Sequence, residues 1–217
     1  ACLKVSVLWE MLRGELRQVD LLAGKTHDRC AEGAQQDLPM GALRIADLGY
    51  FKLSDFKRMD QIGVYWLTGY KNGTALFHEG QRIDVLAQLQ AQSAPQVEWN
   101  VEIGVRDRVP ARLLARRVSA AVLERRQARL AEWERKKQCR ASATAWTLLA
   151  WDLCLTNVPQ ARLSADEAIT LMHYRWQIEL LFKLWKNEGL IDEWNTQNPW
   201  RILCEIYAKL LALLLNH

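Results

Sequence analysis

Two apolar segments with a helix signal between them restrict the fold more than any other feature of this chain. Residues 42–47 (ALRIAD) and 63–70 (GVYWLTGY) have the β-branched and aromatic content of buried strands. Ser54 predicts the cap of a helix that runs through Gln61. A hairpin signal precedes them at residues 3–22, with LKVSVLWEML and ELRQVDLL as its strands. This order predicts an α/β fold in which helices cover a mixed sheet.

The sequence after residue 70 has a different character, with short alternating segments around one charged stretch. Strands are predicted at residues 97–105, 112–118 and 144–159. A charged helix or long ribbon is predicted at residues 119–138. They predict a mainly antiparallel β insertion at the edge of the first sheet. We therefore expect a first core part, an insertion with a basic helix and a second core part, at residues 1–70, 71–160 and 161–217.

The net charge of +4 is unevenly distributed along the chain. Between Arg106 and Arg140, twelve Lys or Arg residues stand against four Asp or Glu residues, a local excess of +8, so the remainder sums to −4. A neutral-to-acidic body with one basic segment predicts a polyanionic partner for that segment. A solvated helix face is the structural alternative.

A capping box, Ser164-Ala-Asp-Glu167, predicts the start of a long helix. Its hydroxyl and carboxylate satisfy reciprocal backbone donors at a helix N-terminus. Gly189 predicts the end of this helix. Asn198-Pro199 predicts the start of a final helix, because proline is tolerated in a first turn.

One face of the long helix carries a single carboxylate among cations. Because helical residues advance by about 100°, Arg175 lies roughly 40° and Lys186 roughly 20° to one side of Glu179, and Lys183 roughly 40° to the other. Simple i,i+4 ion pairs would explain this pattern. Alternatively, Glu179 holds Mg²⁺ together with Asp47 at the end of the ALRIAD strand, while the cations bind phosphates. The alternative for Asp47 is a turn residue.

The segment RWQIELLFKLWK resembles the signature of DDE transposases of the insertion-sequence-four type. That signature is tyrosine, two residues, arginine, three residues, glutamate, six residues and lysine, and Arg175, Glu179 and Lys186 match its spacing. IADLGYF resembles the region around the second catalytic aspartate of the family, which corresponds to Asp47. TLLAWDLCLTNVP is similar to the end of the family's β-rich insertion. The resemblance covers essentially the whole chain.

The resemblance implies an RNase H-like mixed sheet with flanking helices, interrupted by the β insertion. Carboxylates of such a core bind two divalent ions, and we expect Mg²⁺. Asp47 and Glu179 would be catalytic metal ligands. The implied reaction is cleavage and strand transfer of double-stranded DNA at the ends of a transposable element, by a homodimer that pairs two ends.

The resemblance also implies which side chains contact DNA. Arg175 and Lys186 would bind phosphates, with Lys183 as possible support on the same face. Trp151 would stack on a flipped base near the transposon end, with Trp146 as the rival. Packing in the core is the alternative for either tryptophan. Independently of the resemblance, the charge of the basic segment 106–140 predicts contact with the DNA backbone, since neutralisation of phosphates dominates affinity.

Two departures from the signature affect the expected activity. Met172 stands where the signature has tyrosine, and Tyr174 lies about 140° from Glu179 on a regular helix. The first catalytic aspartate belongs on a strand before the hairpin, and Asp20 lies in the wrong element for it. We therefore expect a fragment that is inactive alone. A catalytically inactive DNA-binding remnant of a decayed transposase and an RNase H-like repair nuclease are the alternatives.

Cysteine usage and hydropathy predict the compartment. The five cysteines are scattered and contain no CxxC pair, which favours a reducing, cytoplasmic setting. No apolar run approaches the roughly 18 residues of a membrane span. We therefore expect no membrane partner.

Overall fold

The computed structural model describes residues 3–27, 30, 31, 33 and 36–215. It confirms an α/β chain, whose strands and helices in this part are β1 (Leu3–Glu10), β2 (Glu15–Ala23), β3 (Leu43–Ala46), α1 (Leu53–Gln61), β4 (Tyr65–Gly69), β5 (Leu76–His78), β6 (Gln81–Ile83), α2 (Val85–Ala91), β7 (Gln96–Ile103), β8 (Val109–Arg117), α3 (Ala120–Lys137), α4 (Ala143–Leu148), β9 (Trp151–Thr156), α5 (Ala165–Tyr174), α6 (Gln177–Asn187) and α7 (Pro199–Leu215). The chain forms two compact units. The larger is Gln36–His173, and the smaller combines Ala1–Gln35 with Tyr174–His217. The predicted division at residues 70 and 160 stays a prediction.

The larger unit contains a seven-stranded mixed sheet in the order β3-β4-β9-β8-β7-β5-β6. β3 and β4 are parallel, and α1 forms the crossover that a parallel pair requires. The remaining pairs are antiparallel, so the predicted antiparallel insertion strands are confirmed. β9 joins them to β4, with Leu67 opposite Thr156. The insertion strands therefore continue the sheet that β3 and β4 begin.

Alternation along the strands divides the larger unit into two cores. Trp66 and Leu113 belong to one core, in which Phe56 of α1 stacks on the Trp66 ring at a centroid distance of 4.3 Å. Their sequence neighbours Leu67 and Leu114 belong to the other core, which α5 covers. Adjacent residues of a strand point to opposite faces, so one sheet supports both cores.

The smaller unit has a separate core. β1 and β2 form the predicted antiparallel hairpin. Leu181 and Trp185 of α6 and Ile206 and Leu210 of α7 are buried together, with the apolar side chains of the hairpin packed against them. The apolar face of α6 is therefore buried in this core, and the charged face of the same helix lies on the opposite side.

Two local predictions need correction. Ser54 is not the cap of α1, because Lys52 occupies the N-cap position, although α1 ends at Gln61 as predicted. Residues 144–159 are not one strand, because Ser142 caps the short helix α4 and β9 begins only at Trp151. For the charged stretch 119–138, which the sequence predicts as a helix or a ribbon, the helix is confirmed.

The long helix predicted between Ser164 and Gly189 is two helices, α5 and α6. The capping box is confirmed, since Glu167 N donates to Ser164 Oγ at 3.3 Å and Ser164 N donates to Glu167 Oε2 at 2.8 Å. The helix is interrupted at Arg175 and Trp176. α5 buries its apolar face in the core of the larger unit, and α6 buries its apolar face in the core of the smaller unit. Each of the two helices is therefore held by a different core.

No helix within residues 3–27, 30, 31, 33 and 36–215 combines the length and the apolar character that a bilayer crossing requires.

Candidate active site

Glu179 lies in the first turn of α6 and forms an ion pair with Arg175. Arg175 Nη2 is 3.4 Å from Glu179 Oε1. A carboxylate in a first turn also interacts favourably with the helix dipole. The Glu179 side chain is 58% exposed, so this pair contributes little to stability. The i,i+4 pairing is therefore present, and the carboxylate remains accessible to solvent.

Lys183 and Lys186 lie on the same regular helix as Glu179. Lys186 Nζ is 3.7 Å from Asp192 Oδ2, and both side chains are about half exposed. Lys183 is exposed, and it forms no ion pair with any residue that the structure describes. Because Leu181 and Trp185 point into the core, α6 presents its charged residues to solvent.

Asp47 lies in the larger unit, directly after β3. It is the N-cap of a 3₁₀ turn over Leu48–Tyr50, and its Oδ1 accepts a hydrogen bond from Leu48 N at 2.8 Å. The side chain is exposed at the end of a strand of the sheet. Asp47 thus has the turn role that the sequence left open, and its metal-ligand role stays a prediction.

Trp151 is a core residue of the larger unit. It is 4% exposed, and the Arg117 guanidinium lies 4.5 Å from the centroid of its ring. Trp146 is partly buried, and its Nε1 donates to Glu134 Oε1 at 3.3 Å. The structure thus gives Trp151 the packing role that the sequence held as the alternative. Stacking of a base on Trp151 stays a prediction, and it requires the ring to leave this position.

Met172 and Tyr174 both lie in α5. Met172 packs against the core beneath that helix, which gives it a structural role. Tyr174 is the last residue of α5 and is half exposed. The angle of about 140° between Tyr174 and Glu179 assumed one regular helix. That assumption is wrong, because the helix is interrupted between them.

A carboxylate network in the larger unit was not predicted. Asp152 of β9 accepts a hydrogen bond from Arg126 of α3 at 2.5 Å. Its Oδ2 lies 3.6 Å from Arg116 Nη2 and 3.4 Å from His173 Nε2. These residues come from four elements, and no sequence spacing connects them.

The described part of the chain contains no cluster of three or more His, Cys, Asp or Glu side chains that could hold a metal ion. Asp47 and Glu179 each have a carboxylate, the kind of oxygen ligand that Mg²⁺ prefers, and their role as metal ligands stays a prediction. Carboxylate oxygens are suitable ligands for a divalent ion, but two carboxylates are too few to form a complete two-ion site.

The signature spacing on α5 and α6 agrees with the comparison with known proteins. The chain belongs to the transposase DDE domain family, whose model matches residues 1–215. It is 30% identical to the transposase for insertion sequence element IS231F of Bacillus thuringiensis subsp. israelensis, over 99% of this chain and 49% of that protein. It is 25% identical to the transposase for element IS1151 of Clostridium perfringens, over 99% of this chain and 50% of that protein.

Another relative is the putative transposase InsL for element IS186A of Escherichia coli (strain K12). It is 28% identical, over 87% of this chain and 52% of that protein. The chain thus spans about half the length of the curated relatives it matches. No solved structure matches it.

Proposed function

We propose that this chain is part of the catalytic domain of an insertion-sequence transposase that cleaves DNA at element ends and transfers the strands. The observation that carries the proposal is the solvent-facing surface of α6, where Glu179 lies among Arg175, Lys183 and Lys186 at the spacing of the family signature. We further propose that the core is RNase H-like and that two copies pair two element ends.

In this proposal each side chain has a separate role. Asp47 and Glu179 would hold divalent ions, which supply activation of a water or 3′-hydroxyl and stabilisation of the leaving oxygen when bound. Arg175 orients the Glu179 carboxylate through their ion pair and would exchange it for a DNA phosphate. Lys183 and Lys186 hold phosphates on either side, because Lys side chains act as mobile point charges toward phosphate.

The test is strand cleavage by the protein expressed from its complete reading frame, with Glu179→Gln as the main variant. Gln keeps the shape of Glu but removes the charge that a divalent ion requires. We expect cleavage to fall to background while binding to element ends persists. Glu188→Gln is the matched control, because Glu188 is also exposed and lies at the other end of α6.

Three results would overturn the proposal. Cleavage by Glu179→Gln at the wild-type rate would remove its catalytic role. Binding to element ends without any cleavage by the unaltered protein would favour the inactive remnant. Hydrolysis without joining of strands would favour a nuclease. The oligomeric state of the protein is measured by analytical sedimentation with and without DNA ends. We expect a dimer in the presence of the DNA.

A further inference from the structure

The structure divides ten of the twelve cations of segment 106–140 into two groups of five, and the exposed Arg106, before β8, and Lys136 on α3 belong to neither. The first group has partners within the fold. Arg112 Nε donates to Glu98 Oε1 at 2.6 Å, and Arg108 lies over the Phe77 ring at 3.3 Å. The cations with such partners are Arg108, Arg112, Arg116, Arg117 and Arg126. Their charge serves packing and pairing of the strands, so it contributes little to the surface of the protein.

The second group lies on α3 and just after it. These cations are exposed, and no carboxylate of the described residues lies within ion-pair distance of them; they are Arg125, Arg129, Arg135, Lys137 and Arg140. Lys136 is the exception, since its Nζ is 2.8 Å from Glu132 Oε1. Most of the exposed cations of this segment therefore lie on α3.

The carboxylates of α3 do not cancel this charge. Glu134 is partly buried, and its Oε1 accepts hydrogen bonds from Ala141 N at 2.7 Å and Trp146 Nε1 at 3.3 Å. Glu132 is paired with Lys136. Glu124 remains as the carboxylate of α3 without such a contact among the described residues. The exposed side of the helix is thus strongly positive.

The helix dipole explains only part of this pattern. Cations in a last turn interact favourably with the C-terminal end of a helix, and Arg135 and Lys137 lie there. Arg125 and Arg129 lie in the first half and the middle of α3, beyond the reach of that effect, which is limited to about one turn. Their exposure to solvent without a carboxylate partner indicates an external anion.

Trp133 distinguishes DNA from an anionic membrane surface as that anion. Its side chain is 46% exposed and lies about 40° around the helix from Arg129. A helix that lies in a membrane surface presents a broad apolar face. In the described part of α3, Trp133 is the one large apolar side chain that is strongly exposed. A single aromatic ring among cations instead fits the sugar–phosphate backbone and bases of a nucleic acid.

We propose that the exposed flank of α3 formed by Arg125, Arg129, Trp133 and Lys137, which follow one another at i,i+4 spacing about 40° apart, binds the phosphate backbone of DNA. This inference rests on the proposed function for the identity of the polyanion. It assigns DNA binding to residues of the insertion in addition to those of α6. Charge neutralisation of phosphates makes such a contact strongly dependent on salt.

The test measures binding of the 217-residue chain to duplex DNA by fluorescence anisotropy at several salt concentrations, with EDTA present so that cleavage plays no part. The variant replaces Arg125, Arg129 and Lys137 with Gln. The control replaces three other exposed cations with Gln and changes the net charge equally: Arg13, Lys25 and Arg82.

We expect the α3 variant to bind at least about tenfold more weakly and to reduce the slope of log K against log salt by about 2 to 3, since each phosphate contact contributes about 0.9. The control should keep the wild-type slope. Trp133→Ala should also weaken binding, and Trp133→Phe should restore it. Thermal unfolding checks that the variants are folded.

The inference is overturned if the α3 variant keeps the wild-type slope, or if both triple variants lose binding equally. Binding to phosphatidylserine vesicles, without binding to DNA, would also overturn it. Glu179→Gln should bind normally in this assay. Loss of binding by the α3 variant, together with wild-type cleavage by Glu179→Gln, would retain the surface and remove only the proposed chemistry.

Discussion

His173 Nε2 lies 3.4 Å from Asp152 Oδ2, at the last turn of α5. The same carboxylate accepts a hydrogen bond from Arg126 of α3 through its other oxygen. One side chain, only 14% exposed, therefore holds both the basic helix and the helix that precedes the signature residues. Arg116 of β8 completes the network.

Asp152→Asn should lower the free energy of unfolding by about 2 kcal/mol, because it leaves Arg126 and Arg116 without their charged partner in a partly buried site. Urea unfolding followed by circular dichroism measures the change. Asp166→Asn is the matched control. It removes another partner of Arg116, but Asp166 is largely exposed, so its loss should cost less than about 0.5 kcal/mol. Equal effects of the two variants would contradict the role of the network.

Trp185→Ala should destabilise the smaller unit by about 3–5 kcal/mol, the usual cost of removing a buried aromatic side chain. Trp185 is 2% exposed and packs with Leu181, Ile206 and the hairpin. Trp200→Ala removes the same side chain from a position that is 76% exposed, so it should change stability little. Hydrogen exchange of the β1–β2 amides reports on this unit specifically. Unchanged protection of these amides in Trp185→Ala would show that burial of Trp185 does not stabilise the smaller unit.

Cys154 should resist alkylation in the folded protein at pH 9, whereas the exposed Cys139 and Cys204 react. Burial, with a smaller contribution from Asp152, raises the pKa of the Cys154 thiol from 9.0 to about 12. Only the thiolate is nucleophilic, so Cys154 should react after denaturation. Mass spectrometry after iodoacetamide treatment distinguishes the sites.

The same raised pKa makes stability depend on alkaline pH. Because the thiol ionises in the unfolded chain near pH 9 but in the folded protein only near 12, the unfolded state gains stability over this interval. The free energy of unfolding should fall by up to about 1.4 kcal/mol per pH unit there. Cys154→Ala should lack this fall, and Cys204→Ala should retain it. Identical pH profiles for Cys154→Ala and the wild type would contradict the prediction.

Ser164→Ala should raise the pKa of Glu167 toward its ordinary value of 4.5, because hydrogen bonds from the Ser164 hydroxyl and backbone lower it in the wild type. The stabilisation is present above the ordinary value and is lost as the pH falls through the lowered pKa. An NMR titration of the Glu167 carboxyl measures the shift. Ser119→Ala is the control, since Ser119 precedes α3 but makes no side-chain cap hydrogen bond. It should leave the Glu167 titration unchanged.

Local patterns predicted the parts of the fold that depend on near neighbours. The hairpin and the insertion strands follow from period-two alternation, and the capping box at Ser164 follows from spacing alone. Residues 144–150 were misassigned because TAWTLLA has the composition of a strand, yet Ser142 accepts a hydrogen bond from Ala145 N and starts a helix. Apolar composition does not distinguish a short helix from a buried strand.

Parts of the site that depend on distant residues could not be predicted. The Arg175–Glu179 pair is local, and helical spacing indicated it. The partners of Asp152 come from positions 116, 126 and 173, which only the tertiary fold brings together. Likewise, the sequence contains no proline or glycine at residues 175–176 to predict an interruption.

The interruption at Arg175 and Trp176 changes what the signature spacing measures. The spacing of the motif gives the separation of its residues along the chain. Only within the regular helix α6 does it also give the angle between side chains around the helix axis. Glu179, Lys183 and Lys186 thus form a fixed set, whereas Tyr174 belongs to a separate helix. The backbone torsions of two residues therefore decide where the aromatic side chain points relative to the carboxylate. A substitution there, such as Trp176→Gly, would alter this arrangement without removing any of the side chains that we propose for binding of metal or phosphate.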